Sequence, residues 1–98
     1  MNTERTSLFL MANLGSEVSQ VFSFAEKNEW KFAESAVSRA NMIISELLLC
    51  PDMKGRVGEI KILQDIITDV TAKKRRFAIN KAEMEEYFMP FALQAMSV

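Results

Sequence analysis

The sequence predicts an all-α protein, a single domain over residues 1–98 built as an antiparallel four-helix bundle of three long helices and a shorter, proline-interrupted fourth. Three observations lead there. The 98 residues include only three Gly and two Pro, too few for a turn-rich β protein with many positive-φ positions. Apolar residues make up 49% of the chain and recur at intervals of three and four, the period of one helix face. Short polar or proline-bearing breaks separate these stretches, and the length allows one core, since a domain needs roughly 50–100 residues around it.

The first helix is expected from about Thr3 to Lys27, with Met11, Leu14, Val18, Val21 and Ala25 along one face. Gly15 interrupts that run at a cost of about 1 kcal/mol against Ala, which a close helix crossing at that point would justify. The stretch Glu26-Lys27-Asn28-Glu29 carries no apolar residue, so the helix stops near Asn28. Asn28 suits either the left-handed position that ends a helix or the cap that starts the next.

The second helix is expected from about Glu29 to Leu49, its stripe formed by Ala33, Val37, Ala40, Ile44 and Leu47 and widened by Ala36 and Ile43. The small residues at 33, 36 and 40 would admit the first helix closely. At Leu47-Leu48-Leu49-Cys50 the pattern becomes apolar all round, implying burial on more than one side. Pro51 then ends the helix, because the residue before a proline is pushed out of the α region. Pro51 to Gly55 reads as a loop.

A third helix is expected from about Arg56 to Arg75, with Ile60, Leu63, Ile67 and Val70 on one stripe, Ile62 and Ile66 beside it, and Lys73-Lys74-Arg75-Arg76 at its end. The fourth opens with a capping box, Asn80 as cap and Glu83 three positions on. Glu83, Glu85 and Glu86 complement its positive end, and Met84, Tyr87, Phe88 and Phe91 form its apolar face. Pro90 is expected to kink or end this helix, leaving Phe91 to Val98 as a short helical tail.

Composition narrows the chemistry. With no histidine there is no Ser-His or Cys-His dyad and no imidazole ligand for a metal. Twelve basic against 13 acidic side chains lack the broad basic footprint of a nucleic-acid binder. A single cysteine cannot form an internal disulfide, so Cys50 points to a reducing, cytoplasmic setting and to a buried or half-buried small apolar role. The apolar run Leu8 to Met11 is too short for a secretory or membrane segment. No catalytic, cofactor-binding or metal-ligating residue is assigned, and catalysis is not expected.

Two charged clusters have competing readings. Lys73, Lys74, Arg75 and Arg76 would grip a phosphate backbone in a salt-sensitive way, or would stabilise the negative end of the third helix. The second is preferred because the first fifty residues hold only four basic side chains against six acidic ones. Glu83, Glu85 and Glu86 lack the histidine partners of carboxylate-bridged metal bundles and are read as helix-start electrostatics.

The larger signal is surplus apolar volume. Phe9, Phe24, Phe32 and Phe77 all miss the main stripes, and a bundle this small has limited interior. A surface combining Phe9, Phe24 and Phe32 with Leu48 and Leu49 is therefore expected to meet a protein partner, first of all a second copy in a homodimer.

The stretch Glu26-Lys27-Asn28-Glu29-Trp30-Lys31-Phe32-Ala33, continuing to Val37 and Arg39-Ala40, resembles the turn and second helix of a tetratricopeptide-type hairpin. That resemblance implies that Trp30, Ala33 and Ala40 pack the paired helices together. Leu14-Gly15 resembles the family's Leu-Gly pair but lies several residues further from the turn, and the motif occurs once, whereas a solenoid stacks about three units. The same hairpin style resembles the small helical bundles called HEPN domains, many of which pair with nucleotidyltransferases or cleave RNA. Their ribonuclease members use an Arg-x4–6-His motif, so the resemblance implies a non-catalytic, dimeric member with RNA or a nucleotidyltransferase as its alternative partner.

Overall fold

The computed structural model describes residues 7–72 and 75–96. They form four helices, α1 (Ser7–Glu26), α2 (Trp30–Leu49), α3 (Val57–Val70) and α4 (Lys81–Met96), with a 3-10 helix at Pro51–Arg56 between α2 and α3. No strand occurs among the described residues, and none of these helices is long and apolar enough to cross a membrane. The four helices pack together around one core, with α1 touching each of the others and making its largest interfaces with α2 and α4.

The sequence stripes become the core. Leu14, Val18 and Val21 of α1, Ala33, Ala36, Ala40, Ile44 and Leu47 of α2, and Ile60 and Ile67 of α3 have almost no solvent exposure. Each large aliphatic side chain buried in this way contributes about 1.5–3 kcal/mol. The alanines of α2 let α1 approach closely. Gly15 has an equally concrete reason: a Cβ built there would lie 2.8 Å from both Cβ and Cγ of Phe88. The glycine is the place where α4 crosses α1.

Local chemistry sets the helix ends. Asn28 has φ 59°, the left-handed conformation that Asn tolerates better than most residues. Its N–H donates to the Ala25 carbonyl at 3.0 Å, and the Glu29 N–H donates to Phe24 at 2.8 Å. These are the two bonds of a Schellman ending, so Asn28 closes α1 rather than capping α2. Cys50, held extended at ψ 124° by the proline after it, ends α2. At α4 both arms of the capping box form: the Glu83 N–H donates to Asn80 Oδ1 at 2.8 Å, and the Asn80 N–H donates to Glu83 Oε1 at 2.9 Å.

Four expectations need correction. The segment after Pro51 is a 3-10 helix whose Met53 is buried in the core, not a plain loop. The turn at residues 47–50 is not buried all round, since Leu49 is 83% exposed while Leu47 is enclosed. Helix α3 stops at Val70, five residues before Arg75, because the following chain is drawn back onto Asp69. The fourth helix is neither the shortest nor ended by its proline. It has 16 residues against 14 in α3, and Pro90 lies inside it. Pro90 offers no N–H to the Glu86 carbonyl, but both residues are exposed, so the loss falls on the solvent side, where it costs least, and the helix continues.

Candidate functional site

Of the five residues expected at a partner surface, the structure brings two into direct contact. The rings of Phe24 on α1 and Phe32 on α2 lie 5.4 Å apart beside the turn that joins these helices. Phe32 is 58% exposed, whereas Phe24 is half-buried. Phe9 is also exposed, but it stands fifteen residues before Phe24 on the same helix, about 22 Å along the axis. Leu48 packs partly against the core and Leu49 faces solvent. Met42, seven residues before Leu49 and on the same side of α2, is a further exposed apolar residue that the sequence reading passed over. Phe77 is half-buried against the core. Of the three residues picked out by the tetratricopeptide resemblance, Ala33 and Ala40 are enclosed while Trp30 keeps 45% exposure.

Lys73 and Lys74 lie outside the described residues. Arg75 and Arg76 fall beyond the end of α3 in non-helical chain, so they do not serve its terminal dipole. They converge instead on Asp69, the one charged residue buried among the described residues. The backbone N–H groups of Arg76 and Phe77 donate to Asp69 Oδ1 and Oδ2 at 2.8 and 3.0 Å. Arg75 Nε donates to Oδ2 at 3.5 Å, and Arg76 Nε stands 3.9 Å from Oδ1. The amide bonds, first that of Arg76 and then that of Phe77, together with Arg75, hold the Asp69 carboxyl below its ordinary value against the opposing effect of burial. Arg75 also donates from Nη2 to the carbonyls of Phe77 and Ile79 at 3.3 and 3.1 Å. The sequence did carry a signal for this knot: Asp69 continues the Ile62–Ile66 row at helical spacing, an acid where an apolar residue belongs, just before the basic run.

The acidic cluster of α4 disperses. Glu83 is used in the capping box, and Glu85 accepts a hydrogen bond from Ser19 of α1 at 2.6 Å. Among the described residues no three acidic or cysteine side chains group closely enough to hold a metal ion. The Cys50 thiol donates to the Glu46 carbonyl at 3.5 Å. Burial, and then the charges of Asp52 and Glu46, push its pKa upward, the direction that disfavours the nucleophilic thiolate.

One feature was missed by the sequence reading altogether. The backbones of α3 and α4 scarcely approach each other, and between them lies a groove of about 490 Å³ lined by Glu59, Ile62, Leu63, Ile66, Ile79, Glu83, Met84 and Tyr87. The Tyr87 hydroxyl of α4 donates across the gap to Glu59 Oε2 of α3. Arg56 grips the same carboxylate through Nε and Nη2 at 3.1 and 2.7 Å, and its guanidinium lies 5.3 Å from the Phe91 ring centre. The Arg56 hydrogen bonds, followed by that of Tyr87, lower the Glu59 pKa. Burial, and then the bond to Glu59, raise that of Tyr87. No protein-family model, curated protein or solved structure matches this chain.

Proposed function

We propose that the protein is a non-enzymatic helical bundle, its helices running antiparallel, that works by binding protein and first of all a second copy of itself. The antiparallel course of α1 and α2 is supported by the pairing of Phe24 with Phe32 at one level and of Glu17 with Arg39, 2.9 Å apart, further along. The observation that carries the partner reading is the series of large apolar side chains left in solvent on these two helices: Phe9, Phe32, Met42 and Leu49. Apolar residues of this size are the material of interface centres. A reducing cytoplasm is the setting this reading assigns, since the lone thiol of Cys50 has no disulfide partner in the chain.

Sedimentation at increasing protein concentration tests the proposal. A dimer is expected to appear, and Phe32→Glu or Leu49→Glu is expected to return it to monomer with helicity unchanged. A strict monomer up to millimolar protein would overturn the reading.

A second reading has one observation in its favour: the Arg76 side chain is 71% exposed even while it faces Asp69. Here the protein is a HEPN-like accessory that binds RNA or pairs with a nucleotidyltransferase through Lys73, Lys74, Arg75 and Arg76. It requires RNA binding that weakens steeply with salt and is lost when these four residues become alanine. Binding indifferent to salt would remove it.

A further inference from the structure

We propose that the groove between α3 and α4 is a binding site for a small amphiphilic cation, a molecule with an apolar body and an amine or quaternary ammonium head. This goes beyond the partner surface above, which lies on α1 and α2, and depends on none of its residues.

Size and lining come first. A volume of about 490 Å³ falls within the range of small-molecule sites, about 300–1,000 Å³, and gaps between bundle helices are a common place for them. The walls are apolar: Ile62, Leu63 and Ile66 from α3, Met84 from α4, and Ile79 from the chain leading into α4. Ile62 keeps 58% of its surface in solvent, so its wall is accessible and a bound alkyl chain would cover it. From Glu59 to Ile66 the α3 wall runs about 10 Å by helix rise, long enough for a medium-length chain.

Charge selects the head group. The only ionised groups lining the groove are the carboxylates of Glu59 and Glu83. Glu59 is compensated by Arg56. Glu83 caps the positive end of α4 with one oxygen on the Asn80 N–H but has no ion pair among the described residues, so of the two carboxylates it is the one without a cationic side chain beside it. Tyr87 stands one turn after Glu83 on the same face of α4. Its hydroxyl is committed to Glu59, leaving the ring as the surface next to that charge. A carboxylate beside an aromatic ring, above an apolar floor, suits an ammonium group on a hydrophobic body. It disfavours an anion of the same shape.

The test compares three probes of equal chain length below their micelle concentrations: decyltrimethylammonium, decanol and decyl sulfate. Binding is followed by methyl and aromatic NMR shifts. The cation is expected to bind about fivefold to tenfold more tightly than the alcohol, as an exposed ion pair together with a cation–π contact implies, and the sulfate more weakly than either. Shifts should centre on the Ile62, Ile66 and Met84 methyls and the Tyr87 ring. Glu83→Gln preserves the capping box, which accepts Gln as readily as Glu, and should abolish most of the preference for the cation. Ile62→Lys, on an exposed position, should weaken binding of the cation at least threefold with helicity intact. Equal affinity for cation and sulfate, absence of binding by any probe, or shifts confined to the Phe9 and Phe32 surface would each overturn the proposal.

Discussion

Gly15→Ala is the sharpest probe of how this bundle is held together, because two known effects oppose each other there. Alanine in a helix interior is better than glycine by about 1 kcal/mol. Against that, the new methyl would stand 2.8 Å from Phe88 Cβ and Cγ and 3.1 Å from Cδ1, whereas carbon atoms rest at about 3.5–4.0 Å. Turning the Phe88 ring about Cβ–Cγ moves only Cδ1, and changing χ1 moves Cγ as well, but neither moves Cβ, which is fixed to the α4 backbone. The two helices must therefore separate by most of an ångström or tilt. Overpacking of this kind costs about 1–3 kcal/mol, so the net expectation is a loss of about 1 kcal/mol, reaching about 2 if α4 moves little. Gly58→Ala in α3 is the control, since nothing lies within 4 Å of a Cβ there. It should stabilise by up to about 1 kcal/mol. Urea unfolding followed by circular dichroism separates the two, provided the slope with denaturant is unchanged. In heat the pair should diverge in Tm by about 4–8 °C for each kcal/mol between them. If Gly15→Ala stabilises as much as Gly58→Ala does, the crossing is not the reason for the glycine.

Three further outcomes follow from the same contacts. Asp69 and Glu59 both have folded-state pKa values lowered from ordinary values of 3.8 and 4.5. The stability they contribute is therefore complete above those ordinary values and lost as pH falls through the lower folded-state ones. Asp69→Asn should flatten the acid limb of a stability-against-pH curve, and an unaltered limb would show that the carboxylate is not what ties residues 75–77 down. Asn28→Gly should be neutral or stabilising and Asn28→Ala should cost about 1 kcal/mol in chemical denaturation, because φ is 59° there and only the alanine meets a Cβ penalty. Tyr87→Phe removes the bond to a half-exposed Glu59 and should cost about 1 kcal/mol, less than a buried charged hydrogen bond would. Equal stability of the phenylalanine protein would mean that this bond contributes nothing.

The elements legible in the sequence are those set by local chemistry. The stripes of α1, α2 and α3 and the Asn80–Glu83 box depend on residues within a turn or two of each other, and all of them form. Gly15 was legible as an anomaly whose cause, Phe88, lies 73 residues away. What escaped reading was non-local. Asp69 next to Val70 is a visible anomaly, but its consequence is not: α3 stops because that carboxylate collects amide hydrogens from residues 76 and 77. Pro90 looked like a breaker because sequence does not reveal that it and Glu86 lie on the exposed face of α4. The groove was invisible for the same reason: Ile66 and Met84 are core residues as their stripes imply, and only the spacing of α3 from α4 makes them the floor of a gap beside an exposed Ile62. The phenylalanine surplus was half legible, as Phe9 and Phe32 are exposed while Phe24 and Phe77 are partly covered.

The central place of α1 bears on the order in which the bundle assembles. Its neighbour α2 follows after a three-residue turn, so their pairing closes a short loop. Helix α4 reaches α1 through contacts such as Ser19 with Glu85, 66 residues apart, and closing that longer loop costs more chain entropy. With the α3 backbone standing off, α4 is held on one flank by α1 and on the other by side chains alone: the Tyr87 hydroxyl on Glu59, Arg56 over the Phe91 ring, and Met84 in the core it shares with Leu63 and Ile66. It is therefore the element expected to join last and detach first, and amide hydrogens of Phe88 to Met96 should exchange by local opening while those of Ala36 to Leu47 wait for the whole molecule to unfold.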